Sequence, residues 1–150
     1  MRRRKIIASM QPNFVGEWGG TEGMYVSRLG RKRASRNNPF KEILSSGVKL
    51  VFGSDCMPLN PLYGIHSAVN APYEVQRLSP QEAIAAYTRD AACASFEEDS
   101  KGSISVGKLA DFIVLSGDPL TSPDKISSLR VLETIISGEV VYGSAEKRGD

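Results

Sequence analysis

Histidine is nearly missing from this chain. One imidazole in 150 residues, His66, is too few to build a zinc-type hydrolytic site, because such sites draw two or three imidazoles from the protein. Cysteine is scarce as well. Cys56 and Cys93 form neither a disulfide framework nor a CxxC metal knuckle, so both are expected as free thiols in a reducing cytoplasm. Long apolar runs are absent: the cleanest, Val48 to Phe52 and Phe112 to Leu115, fall far short of the roughly 20 residues of a membrane-spanning helix. No membrane partner is expected. Met1-Arg-Arg-Arg-Lys5 has the charge of a signal-peptide start, but Ile6 to Pro12 is too short and polar for its apolar region.

What is present suits one soluble domain with its own core: 41% apolar and 24% charged residues exclude global disorder. The net charge of +2 hides an asymmetry. Residues 1–36 hold nine Lys/Arg against two Glu, a balance of +7, while residues 37–150 hold ten basic against fifteen acidic, a balance of −5. A basic third carrying Phe14, Trp18 and Tyr25 has the composition of a phosphate-contacting surface. A solvated charge run explains it more simply, and nucleic acid is not the expected partner.

Several elements are marked by their punctuation. Ile6 to Met10 reads as a strand end closed by Gln11-Pro12, and Asn13 to Asn37, with five glycines and no sustained period, as a long loop or lid. Asn38 to Gly47 predicts a short helix with an Asn cap, proline at its first position and a terminal glycine. A buried-type strand, Val48 to Phe52, follows and runs into Gly53-Ser54-Asp55. In parallel α/β folds the residues just past a strand's carboxyl end sit at the active face, which makes Asp55 the candidate catalytic or metal-ligating carboxylate.

Cys56 to Arg77 reads as loop and carries His66, eleven residues past Asp55, as a candidate substrate contact. Ser79-Pro80-Gln81-Glu82 predicts a capping box, opening a helix through Ala83, Ile84, Tyr87 and Ala91 toward Phe96. After Gly102 the pattern changes to short strands: Ala110 to Ser116, then a hairpin with Val131 to Ile136, a turn at Ser137-Gly138, and Glu139 to Tyr142. Glu146 to Asp150 reads as a frayed tail.

Four stretches in this order resemble the metal-dependent amidohydrolases, in particular the imidazolonepropionase-like and exoenzyme-like branch. They are Ser9-Met-Gln-Pro12, Gly47 to Asp55, Leu78 to Thr88 with Ala91-Ala92, and Gly102 to Leu115 followed by Gly138 to Tyr142. The resemblance covers almost the whole chain. It implies an α/β fold: the C-terminal fragment of a (β/α)8 barrel over residues 1–100, plus part of the flanking β-sandwich over 101–145. It implies hydrolysis of a C–N bond in a small-molecule amide or cyclic amide, with Asp55 ligating a divalent metal, zinc being expected, and helping to deprotonate water. Gly107 to Asp111 would be structural. The family's His-x-His and later histidines match nothing here, and two strands cannot close a barrel that needs eight. The expected partner is therefore a missing N-terminal segment or chain, or further copies in a homo-oligomer. The rival reading is a non-catalytic assembly module that pairs through exposed strand edges.

Overall fold

The computed structural model describes residues 1–55, 57 and 59–143. Two sheets share one apolar core. The first is a parallel pair, β1 (Ala8–Met10) and β2 (Leu50–Phe52), in register Ala8↔Leu50, Ser9↔Val51 and Met10↔Phe52. Parallel strands need a crossover. Here it contains four short helices: α1 (Asn13–Trp18), α2 (Met24–Leu29), α3 (Arg31–Ala34) and α4 (Phe40–Ser45).

The span from Asn13 to Asn37, expected as a loop, is therefore largely helical. Gly19 ends α1, and Gly30, at φ +74°, separates α2 from α3. The α4 helix ends as expected, with Gly47 at φ +75° in the left-handed conformation that glycine adopts without steric cost. Its start differs from the expectation. Asn38 takes φ +50° and its carbonyl accepts from Phe40 N–H at 2.8 Å, so the helix opens after Pro39 with no side-chain cap.

Beyond β2 the chain forms α5 (Pro61–Val69), α6 (Pro80–Tyr87) and α7 (Arg89–Ala94). The α5 helix corrects the reading of Cys56 to Arg77 as loop: Asn60 Oδ1 caps Tyr63 N–H at 3.2 Å, and Pro61 occupies the first helical position. The predicted capping box is present, with Ser79 Oγ accepting from Glu82 N–H at 3.2 Å and Glu82 Oε2 accepting from Ser79 N–H at 2.8 Å. The single helix expected to run toward Phe96 is broken at Thr88, whose φ −119° and ψ −92° leave helical geometry. Phe96 lies past α7 in a left-handed conformation, 90% exposed.

Glu82 also accepts from Lys41 Nζ at 2.7 Å. Burial pushes the Glu82 carboxyl upward, but the Lys41 ammonium and the Ser79 donors outweigh it and hold the group below its ordinary 4.5. A depressed carboxylate stabilises the fold above its unfolded pKa, and that contribution fades as pH falls through the folded value. Glu82→Gln keeps an oxygen that can accept from Ser79 N–H and removes only the charge, so it should cost no more than about 1 kcal/mol at pH 7, the scale of a partly exposed ion pair. Urea denaturation should show the gap from wild type closing below about pH 4.

The second sheet is antiparallel, ordered β3 (Phe112–Leu115), β4 (Val131–Ile136), β5 (Glu139–Tyr142). Its β4–β5 turn matches expectation: Ser137 and Gly138 both have positive φ, 52° and 84°, as a type I′ hairpin requires. Asp111 Oδ1 accepts from Ser137 N–H at 2.8 Å, which gives that aspartate a structural role. Between β3 and β4 a 3₁₀ turn, Pro123–Ser128, buries Ile126 completely against α5. The common core holds Phe40, Leu50, Phe52, Ile65, Leu78 and Ile126, with Leu115, Leu129 and Val131 packed against it.

Candidate functional site

Parallel pairing brings the carboxyl ends of β1 and β2 to the same level, and Gly53 N–H donates to Met10 O at 3.0 Å as the last rung. From there β1 passes through Gln11-Pro12 into α1, and β2 exits through Gly53-Ser54 to Asp55. Asp55 is exposed and sits at φ +53°. Aspartate is among the residues that tolerate this left-handed region. The turn is closed by Met57 N–H donating to Ser54 O at 3.2 Å. The carboxylate thus stands at the strand-end face where the sequence placed it. Cys56, its neighbour, lies outside the described residues, as does the predicted tail.

Beneath this face is a polar cluster that the sequence did not disclose. Tyr87, from the last turn of α6, donates its hydroxyl to Oδ1 of the fully buried Asn13 at 3.3 Å. Burial pushes the Tyr87 phenol up to about 12, opposed by a hydrogen bond from Ser54. The ring rests on Phe52, centroids 5.5 Å apart, and Phe52 meets Phe40 edge-on at 5.1 Å. The only hint in the sequence is one phenol inside an otherwise apolar helix stripe.

His66 is on α5, not on a loop. It is half-buried, and its Nδ1 lies 3.1 Å from Asn70 Nδ2. The same Asn70 amide donates to Pro123 O at 2.9 Å. A cleft of about 290 Å³ opens here between α1 and α5, lined by Gly16, Gly19, Tyr63, His66, Ser67 and Asn70 among others. Gly16 permits the approach, because a Cβ there would lie 2.3 Å from Ser67 Oγ. Tyr63 donates to Glu17 Oε1 at 2.7 Å, and desolvation followed by this bond raises the phenol above its ordinary value. Asp55 is not among the residues lining this cleft, and the two predicted site residues lie on different elements.

Cys93 is a free thiol accepting from Lys49 Nζ at 2.8 Å. Lys49 precedes β2, so this pair lies at the strand's amino end, opposite Asp55. Among the described residues no three His, Cys, Asp or Glu side chains converge as metal ligands. One exposed carboxylate does not make a zinc site, which takes three or four protein ligands. The described residues therefore do not fit a resident metal by themselves. Nor is any helix among them long and apolar enough to cross a membrane.

Comparison with known proteins gives this arrangement a context. Residues 1–142 match the amidohydrolase family. A Bacillus subtilis protein carrying the amidohydrolase name, YtcJ, is 36% identical over 93% of this chain and 28% of its own length. An N-substituted formamide deformylase of Arthrobacter pascens is 32% identical over 87% of this chain and 26% of its own. The crystal structure of an uncharacterized metal-dependent hydrolase from Pyrococcus furiosus superposes with a TM-score of 0.67 at 33% identity, over 80% of this chain and 25% of that one. The chain thus spans about a quarter of the length of the relatives it matches. From the family match over nearly its whole length, the chain belongs to the amidohydrolase family.

Proposed function

We propose that these residues form the C-terminal part of a metal-dependent amidohydrolase that hydrolyses a C–N bond in a small amide or cyclic amide. Residues 1–100 contribute the last strands and helices of its (β/α)8 barrel, and 101–145 a share of the flanking β-sandwich. The observation that carries this reading is Asp55, an exposed carboxylate held at φ +53° at the carboxyl end of a parallel strand. Non-glycine residues in that region cluster at functional sites. A carboxylate there can accept the proton of the water that adds to the scissile carbon. His66 and the α1–α5 cleft beside it supply substrate contacts. The remaining ligands of a divalent metal, zinc being the expected ion, come from outside the 150 residues.

Reconstitution tests this directly. Residues 1–142 should replace the matching quarter of the Arthrobacter formamide deformylase and leave a chimera that still hydrolyses N-substituted formamides. The isolated 150-residue chain should show no stoichiometric metal by mass spectrometry and no hydrolysis. About one equivalent of zinc in the isolated chain, lost in Asp55→Ala, would overturn the incomplete-site reading.

One observation favours the rival assembly module. Phe112, Ile113 and Val114 are all exposed although successive strand residues face opposite ways, and Val140 and Val141 of β5 are exposed as well. Edge strands such as these, exposed on both faces, are a template for another segment or copy. Light scattering that shows a well-behaved monomer across micromolar concentrations would count against self-assembly.

A further inference from the structure

We infer that Gln11 is a specificity residue of the active face, its carboxamide reading the N–H and C=O edge of a ring amide. This rests on the proposed amide hydrolysis at the Asp55 face and narrows its substrate class.

Strand pairing places the residue. In β1, Ala8 and Met10 pack on the core, while Ser9 between them is exposed. Side chains alternate along a strand, so Ser9 and Gln11 belong to the face turned away from the helices. In a closed barrel that face is the interior, and its carboxyl end is where substrate meets side chains. The ladder continues past the strand, since Met10 O accepts from Gly53 N–H at 3.0 Å. Extended by one step, the register that pairs Met10 with Phe52 sets Gln11 beside Gly53, two residues before Asp55. A Cβ on Gly53 would meet nothing within 4 Å. The two strand ends therefore carry a carboxamide and a carboxylate, with open space at the glycine.

The backbone of Gln11 is anchored and its side chain is not used by the fold. Its carbonyl accepts from Phe14 N–H at 3.3 Å, and the next two residues, Pro12 and Asn13, are fully buried. The side chain itself is half-buried and has no hydrogen-bond partner among the described residues. Other side-chain amides are committed to the fold: Asn60 accepts from Tyr63 N–H, Asn70 donates to Pro123 O, and Gln76 both donates to Asn37 O and accepts from Tyr73 N–H. Gln11 is left for a ligand.

A carboxamide presents one donor and one acceptor side by side. Its complement is an amide whose N–H and C=O lie on the same edge. Ring closure enforces that arrangement in a lactam or cyclic imide, whereas an open-chain secondary amide strongly prefers to hold the two groups on opposite edges. A ligand without the N–H leaves the Gln11 oxygen unpaired, which is how a hydrogen-bonding site rejects it.

The test is NMR titration of the 150-residue chain with γ-butyrolactam. Its N-methyl derivative keeps the ring and lacks the N–H, and N-methylacetamide keeps the N–H on the far edge. The lactam should shift the Gln11 side-chain amide signals and the Gly53 N–H saturably. Both controls should bind at least about tenfold more weakly, the scale of one lost hydrogen bond. Gln11→Leu should abolish the response at Gly53. Gln11→Glu keeps the shape and loses the donor, so it should weaken binding about tenfold as well, and it decides the matter if Gln11→Leu does not fold. No shift at Gln11, equal responses to all three probes, or a Gly53 response that survives the substitutions overturns the assignment. The selective shift together with an inactive chimera defeats the hydrolase reading alone. An active chimera with no shift at Gln11 defeats this inference alone.

Discussion

Asp55→Asn in the reconstituted chimera should lower kcat by at least about a hundredfold, the scale on which positioned general bases act, while leaving KM within a few-fold. The two side chains have the same shape, and asparagine adopts φ near +53° as readily as aspartate does. What disappears is the negative charge and with it the capacity to take a proton from water. The carboxylate is exposed, so the substitution buries nothing new and opens no cavity. The unfolding free energy should therefore stay within the range of surface substitutions, about 0.5 kcal/mol either way. Steady-state assays beside calorimetry separate the outcomes. A large fall in kcat with unchanged stability supports a chemical role, whereas equal falls in both would demote Asp55 to a turn residue.

The position of that aspartate was legible because it depends on local rules. A glycine-ended helix followed by an apolar strand announces an αβ step, and the residue beyond the strand must lie at the active face. The Ser79–Glu82 box and the Ser137-Gly138 turn were legible for the same reason: each is decided by atoms within four residues. The misses have equally physical causes. Helices α1, α2 and α3 span six, six and four residues, too short to display a 3.6-residue period, and the glycines that separate them imitate loop composition. In α5 the Asn60-Pro61 start signal was present but sat inside a proline-rich stretch that argued for loop. At Asn38 a good capping residue was misassigned by one position, because its own backbone turned left-handed. The Tyr87 cluster joins residues 74 positions apart, and no local pattern in a single sequence reports that meeting.

Phe40→Ala should cost about 3–5 kcal/mol, the range for truncating a buried aromatic residue. Phe40 has no exposed surface, and it starts a ring contact path from α4 to Phe52 on β2 and on to Tyr87 on α6. Removing it leaves a cavity that β2 and neighbours such as the buried Gln76, itself hydrogen-bonded to Asn37 O at 2.8 Å, are too constrained to fill. Domain stabilities run from about 5 to 15 kcal/mol, so a loss of this size would unfold a large fraction of a marginal chain. Urea denaturation should show a lower midpoint with an unchanged slope, because the surface exposed on unfolding hardly differs. Phe96→Ala is the matched control: truncating the same side chain where it is 90% exposed should change the unfolding free energy by no more than about 0.5 kcal/mol. If the two variants behave alike, burial between α4 and β2 is not what holds this half together. If they differ as expected, the Phe40–Phe52 contact is the main brace of the β2 strand, and the core that stabilises the fold also holds the strand whose carboxyl end leads to Asp55.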